Sequence, residues 1–174
     1  TLLSFAASAP RPPAIISVLA FHLVAATISL LCFDDRPGVA YALLVPLAAA
    51  HVDVAMLVQN IGASRHPDFS FTVNRGEYQK ALDVLAREKN AGFVAREIIG
   101  DDRICKVSLV GIGMRSHVGI AAKMFKSLAE EGINIQMIST SEIKTSVVID
   151  EKYLELAVRA LHRAFELEQA PKLA

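Results

Sequence analysis

A long internal repeat constrains the fold of this chain more than any other feature of its 174 residues. The segment DDRPGVA at 34–40 aligns with RSHVGIA at 115–121 when Gly38 is placed on Gly119. The apolar positions that follow then match in order, as Val39/Ile120, Leu43/Met124, Leu44/Phe125, Leu47/Leu128, Val52/Ile133, Val54/Ile135 and Met56/Met137. A repeat of about eighty residues predicts two units of the same fold.

Hydrophobic periodicity supplies the elements of each unit. Both units begin with a strand, at 28–31 and 107–110, followed by a polar loop, an apolar helix and a second strand. The first unit continues with a strand at 69–73, a helix and a strand at 93–99, and the second with a strand at 144–149 and a helix. The second unit therefore lacks a closing strand of its own.

The helix ends carry further signals. Asn74 with Glu77 three residues later is a capping-box signature, and Asp150 is a predicted N-cap of the last helix. Pro46 falls inside the first predicted helix, 37–50, where an interior proline costs about 3 kcal/mol and predicts a kink.

One strand, at 15–20, belongs to neither unit, and we expect it to cross over and complete the second sheet. A short connection at 22–26 should separate it from the strand at 28–33. Each unit then reads β-α-β-β-α-β, an antiparallel sheet of four strands with two helices on one face. The predicted boundaries are a tail at 1–14, the crossing strand at 15–27, a first domain at 28–102, a second domain at 103–168 and a tail at 169–174.

Charge and motif content argue against several function classes. Lys plus Arg and Asp plus Glu number 18 each, so no basic stripe indicates a nucleic-acid partner. Cys32 and Cys105 stand far apart among apolar residues, which predicts two free thiols, buried or half-buried, in a reducing compartment, here the cytoplasm. There is no phosphate-binding loop or nucleophile elbow, so we expect neither catalytic residues nor a metal. The five histidines, which form no metal-binding pattern, are His22, His51, His66, His117 and His162.

The apolar run at 15–33 leaves a second hypothesis open. It is long enough to span a bilayer and carries no formal charge, but His22 lies near its middle and no Lys or Arg cluster flanks it. Two strands are one interpretation. The alternative is a membrane-anchored or purely structural dimerisation domain that binds no ligand.

The repeated loop at the start of each first helix is the candidate binding site. A helix start offers unpaired N–H groups and a positive dipole end to a carboxylate, Gly38 permits close approach, and Asp35 could meet an ammonium group. Such a site fits a free amino acid. On spacing alone, a structural role stays open, in which Asp35 and Pro37 cap and begin the helix and Ser116 does the same in the second unit.

Several strings resemble one known family. They are DDRPGVA, VDVAMLVQN, DFSFTV, KVSLVGIGMRSHVGIAAKMF and INIQMISTSEIKTSVVIDEKYLELAVRALHRAFEL, and the resemblance runs from about residue 28 to 167. They are similar to the tandem ACT domains at the C-terminal end of bacterial aspartate kinase, whose ferredoxin-like βαββαβ units give an α+β fold. The resemblance implies a separate regulatory subunit or a regulatory region, with ATP bound only by a catalytic domain that begins with a KFGG[ST] motif.

The resemblance also implies an effector site for threonine, lysine or both. Its matching positions are Asp35, Pro37, Gly38, Val39, Ala40, Gln59, Asn60, Asn134, Ile135 and Ser141. Val118 and Ala121 depart from residues common in the family, which leaves the ligand preference of the second loop open. HLVAAT at 22–27 replaces what is usually a charged turn, so the loop after the crossing strand is the least defined.

Assembly is the last expectation. The strands at 52–57 and 133–138 are apolar enough to be poor exposed edges, which predicts a homodimer, and the family resemblance implies the same. The first unit of one chain should lie beside the second unit of its partner. Expected partners are therefore an amino-acid effector, a second copy and a catalytic kinase domain or alpha subunit, with no nucleic acid and no membrane.

Overall fold

The computed structural model describes residues 15–33, 37–61, 67–90, 95–112 and 119–167. Short 3-10 turns at Arg75–Glu77 and Glu151–Tyr153 lead into the second and fourth helices. The elements in chain order are β1 (Ile15–Phe33), α1 (Val39–Ala49), β2 (Val54–Ile61), β3 (Pro67–Asn74), α2 (Tyr78–Asn90), β4 (Ala95–Ile112), α3 (Ile120–Glu130), β5 (Met137–Thr140), β6 (Lys144–Asp150) and α4 (Leu154–Phe165).

The strands form one antiparallel sheet in the order β2-β3-β1-β4-β6-β5. The long strands β1 and β4 belong to both halves of this sheet. The first half is β2-β3-β1-β4 with α1 and α2, and the second is β1-β4-β6-β5 with α3 and α4. The predicted α+β fold of two four-stranded units with helices on one face is thus confirmed, although the two sheets are fused. The domain boundaries at 28–102 and 103–168 stay a prediction.

The crossing of β1 between the halves is visible in its register. Its beginning, 15–22, pairs with 106–112 of β4, whereas 25–30 pairs with β3 on one side and with 98–104 of β4 on the other. The first part of the strand therefore completes the sheet of the second half, and the rest lies at the centre of the first half.

The predicted break at 22–26 is wrong, because β1 runs without interruption from Ile15 to Phe33. The register against β4 shifts between His22 and Ala25 and again between Ala25 and Thr27. Bulges of this kind bend a strand while its backbone groups keep pairing, so no loop is needed. In the same way β4 joins two strands that were predicted separately, at 93–99 and 107–110, although residues 93 and 94 lie outside the described ranges.

Two apolar cores lie between the sheet and the helices. In the first half, Leu43 and Leu47 of α1 and Leu85 of α2 pack on Phe69 and Phe71 of β3. The second half uses the equivalent elements, with a core of Cys105, Val107, Leu109, Met124, Leu128, Ile133, Val147, Ile149, Leu154, Ala157 and Leu161. Each helix pair thus covers the same face of its own half.

A third apolar cluster joins the halves on the opposite face of the sheet. Val148 belongs to it, whereas its neighbours Val147 and Ile149 pack under the helices, and successive residues of a strand point to opposite faces. Met56 and Met137, which match in the repeat, both lie in this cluster. Each unit therefore contributes an equivalent methionine to this cluster.

The cap signals are confirmed in part. Asn74 Oδ1 accepts the Gly76 N–H at 3.0 Å, and Asp150 Oδ1 accepts the Lys152 N–H at 3.0 Å, so both residues cap the turns before α2 and α4. The second contact of the capping box stays a prediction, and the Glu77 carboxylate accepts the Asp53 N–H at 3.2 Å, a contact that fastens the start of β2. Pro46 lies within α1, as predicted.

The first helix of each half ends in the same left-handed turn. His51 has φ 54° and Gly132 φ 70°, and the next N–H groups bond back into the helices, Val52 to the Leu47 oxygen and Ile133 to the Leu128 oxygen, both at 2.9 Å. Such a terminal residue favours glycine because a side chain is strained there. His51 carries this strain, and Gly132 does not.

We expect Gly132→Ala to lower the free energy of unfolding by about 1 kcal/mol, because a Cβ disfavours left-handed backbone. A Cβ at this position would meet no other atom within 4 Å, so the loss measures backbone strain alone. Urea denaturation of the full chain measures it. Gly76→Ala is the matched control, since Gly76 is not left-handed and an added Cβ makes only an ordinary contact there. Equal stability of Gly132→Ala and wild type would contradict the assignment.

The anchor hypothesis for 15–33 required a helix, and the segment is a strand. Among the described residues, no helix has the length and apolarity needed to cross a membrane.

Candidate functional site

The start of α1 has the backbone geometry of a glycine N-cap. Gly38 is the N-cap with φ 93°, no side chain of the described residues caps the helix, and the Gly38 oxygen accepts the Ala42 N–H at 2.9 Å. A Cβ on Gly38 would meet nothing within 4 Å. The first N–H groups of a helix have no partner within the helix, and such groups suit a carboxylate.

The residues around this N-cap divide between surface and core. Pro37 is exposed before Gly38, and Val39 and Ala40 are half-buried against the first core. Since Gly38 is the N-cap, Pro37 does not occupy the first helical position that the structural interpretation required. Asp35 lies outside the described residues, and its role stays a prediction.

The start of α3 repeats the same geometry. Gly119 is its N-cap with φ 113°, and its oxygen accepts the Lys123 N–H at 2.7 Å. Ser116, His117 and Val118 lie outside the described residues. The repeat therefore extends from sequence to the backbone conformation of both loops.

Gln59 and Asn60 lie on β2, one of the two outer strands of the sheet, and both are exposed. Gln59 pairs with Phe69, whose side chain is buried under the helices, so Gln59 points to the helix side. Asn60 pairs with Asp68 and points to the other face. Only Gln59 of the two is thus on the face that carries the start of α1.

The second group of predicted residues lies at the opposite outer strand. Asn134 is exposed in the loop between α3 and β5, and Ile135 packs partly on the second core. The Ser141 hydroxyl is engaged in the β5–β6 turn, where it donates to the Lys144 oxygen at 3.2 Å and accepts the Lys144 N–H at 3.1 Å. This turn bond gives Ser141 a structural role of its own.

The described residues among the predicted site divide between the two halves of the sheet. Pro37 to Ala40 and Gln59 belong to the first half, and Asn134, Ile135 and Ser141 belong to the second. Four strands lie between β2 and β5 in the sheet order. A ligand that touches both groups would therefore need a β5 edge from another chain beside this β2 edge.

Exposed apolar side chains border the first group, a feature that the sequence interpretation did not single out. Tyr41 and Val45 of α1 are 73% and 43% exposed, and Leu57 of β2 is 42% exposed. The corresponding helix α3 has lysines on its outer side, whereas α1 (VAYALLVPLAA) is apolar on all sides. A helix that is apolar all round is normally covered.

The titratable groups of the core offer no nucleophile. Burial raises the pKa of the Cys105 thiol to about 11, with further contributions from Glu151 and Asp150, so the thiol stays protonated at neutral pH. Burial and the charge of Lys144 lower the pKa of Lys106 on β4. No group of three potential metal ligands occurs among the described residues. Cys105 is a buried free thiol, as predicted, and the Cys32 side chain lies outside the description.

A family model for the ACT domain matches residues 107–165, most of the second half. Together with the duplicated βαββαβ architecture, this match defines the class as an ACT-domain protein. The aspartokinase of Pseudomonas aeruginosa is 57% identical over 154 residues, which are 88% of this chain and 37% of that protein. This chain thus spans little more than a third of the curated relative.

Solved structures match over nearly their full length. In a crystal structure of aspartokinase alpha and beta subunits, one chain is 55% identical with a TM-score of 0.81, and the match covers 88% of this chain and all of that one. The ligand-free regulatory subunit of aspartate kinase from Thermus thermophilus is 37% identical with a TM-score of 0.80, covering 86% and 98%. The chain belongs to the aspartokinase family, in which it corresponds to the regulatory ACT-domain region.

Proposed function

We propose that this chain is the amino-acid-sensing module of a cytoplasmic aspartate kinase and mediates feedback inhibition by lysine, threonine or both. The catalytic step, transfer of phosphate from ATP to aspartate, would belong to a separate kinase domain or alpha subunit. The relative crystallised with both alpha and beta subunits supports a catalytic partner of this kind.

The observation that carries the proposal is the pair of complementary, incomplete edges. The first half has the glycine N-cap of α1 at Gly38, and its outer strand β2 has the exposed amide of Gln59. The β5 edge has Asn134 and Ile135 in the loop before the strand. We place one effector between the β2 edge of one chain and the β5 edge of a second copy, so that two identical sites form in a twofold homodimer.

Each part of a free amino acid has a matching group in this arrangement. The carboxylate would accept from the first N–H groups of α1, which the helix dipole favours. The ammonium would donate to Asp35 and to the amide oxygen of Gln59. Asn134 and Ile135 from the second copy would then contact the rest of the ligand.

Calorimetric titration of the full chain with lysine and threonine, singly and mixed, tests this function. We expect saturable binding of at least one of them, with one site per chain or fewer. No binding of either, in a chain that is folded and dimeric by light scattering, would contradict the proposal.

A dimerisation domain without a ligand is the second candidate, and one observation favours it. Tyr41, Val45 and Leu57 of the first half are exposed apolar side chains, which would suit a protein partner whether or not an effector binds. This candidate predicts a dimer with no heat of effector binding. The same titration therefore separates the two.

A further inference from the structure

An ion pair between the two halves is not used by the effector site. The Arg75 guanidinium donates to both carboxylate oxygens of Glu151, from Nη1 to Oε1 at 3.2 Å and from Nη2 to Oε2 at 2.9 Å. Both side chains are 32% exposed. Two parallel bonds of this kind fix the relative orientation of the groups that carry them.

The two residues occupy equivalent positions of the repeat. Arg75 follows the cap Asn74 and begins the 3-10 turn before α2, and Glu151 follows the cap Asp150 and begins the turn before α4. One unit therefore has a cation where the other has an anion. The pair thus joins the first half to the second.

A third bond ties this pair to the point where β1 bends. Arg75 Nη2 also donates to the Ile104 oxygen at 3.3 Å. Ile104 pairs with Ala25 of β1 on one side and with Asp150 of β6 on the other. Ala25 stands between the two register shifts of β1, so the guanidinium is anchored opposite the bulge that connects the halves.

The guanidinium is not fully satisfied in this arrangement. Arg75 Nε is buried and has no hydrogen-bond partner within the described part of the chain. A buried donor without a partner is unfavourable, so a second arrangement in which Nε gains one can lie close in free energy. An element with two close arrangements is what an allosteric transition requires.

We propose that the Arg75–Glu151 pair is a positioning element that holds the two halves at one angle and thereby couples the β2 edge to the β5 edge of the same chain. In the proposed dimer, the β2 edge and the β5 edge of one chain contribute to different effector sites. If binding at one site changes the angle between the two halves of that chain, the geometry of the other site changes as well. The coupling part of this inference rests on the proposed function, and the positioning part does not.

Distance measurement by electron spin resonance tests the positioning part in the full chain. Spin labels are placed at Arg87→Cys on α2 and Arg159→Cys on α4, which are exposed positions of the two halves. Cys32→Ser removes one native thiol, and Cys105 is buried and stays unlabelled. Labelled chain is diluted with unlabelled chain so that only distances within one chain are recorded.

Single charge reversals should broaden the distance distribution roughly twofold, and the exchanged pair should restore it. The variants are Arg75→Glu, Glu151→Arg and the double exchange. Glu130→Arg is the matched control, because it reverses one charge of the exposed Lys126–Glu130 pair within α3. The positioning role is overturned if the single reversals keep the wild-type distance distribution. It is also overturned if the double exchange leaves the distribution as broad as in the single reversals.

Titration of the same variants tests the coupling. In wild type we expect binding of one effector to change the affinity for the other effector by roughly fivefold or more. In the single reversals we expect this factor to be about one. If the distance distribution broadens in the single reversals while this factor stays at its wild-type value, the coupling is overturned. If wild type binds neither amino acid, the proposed function fails, and the distance data still decide the positioning role.

Discussion

Replacing Leu57 by Lys should convert the proposed homodimer to a monomer at micromolar concentration. Leu57 is 42% exposed on β2, beside the apolar surface of α1, and a neighbouring copy would bury it. An unpaired charge in an interface costs several kcal/mol, and 3 kcal/mol corresponds to a loss of association of roughly a hundredfold or more. Light scattering coupled to size exclusion measures the change.

Ile99→Lys is the matched control for this substitution. Ile99 is 46% exposed on β4, so the same charge enters at an equally exposed apolar position outside the proposed interface. We expect this variant to remain a dimer. Dissociation by both variants alike, or by neither, would place the interface elsewhere.

Asp35→Ala should weaken effector binding roughly tenfold to a hundredfold, because the loss of a charged partner from a partly buried ammonium typically costs about 1.5 to 3 kcal/mol. Calorimetry with lysine and threonine measures the loss, together with Gln59→Ala and Ser141→Ala. In a complete kinase the same loss would appear as resistance to feedback inhibition, since an effector shifts an equilibrium only through its differential binding.

Asp83→Ala on α2 is the control for Asp35→Ala. Asp83 accepts a hydrogen bond from Gln79 on the helix surface, away from both edges. Its removal should leave the affinity unchanged. Wild-type affinity in Asp35→Ala, with folding intact by circular dichroism, would assign Asp35 to the structure of the loop and not to the ligand.

The repeat made the architecture predictable. Matching apolar positions, such as Met56 with Met137, fix strand and helix order in both units, and the missing closing strand pointed to the crossing of β1. The caps were also predictable, since Asn74 and Asp150 each accept a hydrogen bond from the N–H two residues later. The repeat is a pattern of apolar positions, and each cap depends on neighbouring residues. Both can be found in the sequence without knowing which strands pair.

Features that depend on distant pairing were not predictable. Residues 22–26 were interpreted as a short connection, but bulges let β1 continue because β4 offers partners for its backbone groups. The charges of Arg75 and Glu151 stand 76 residues apart, and only the fused sheet brings them together. The division of the effector residues between two edges follows from the strand order, which periodicity alone does not give.

The central claim is that one effector site takes residues from two chains, and mixing two defective variants tests it most directly. Gln59→Ala and Asn134→Ala are each purified, shown to bind effector weakly, then mixed, unfolded and refolded together. In a twofold dimer with shared sites, each mixed dimer has one site with both substitutions and one with neither. About one quarter of all sites should then recover wild-type affinity by calorimetry. A mixture that binds no better than the separate variants would contradict the account, because each site would then lie within a single chain.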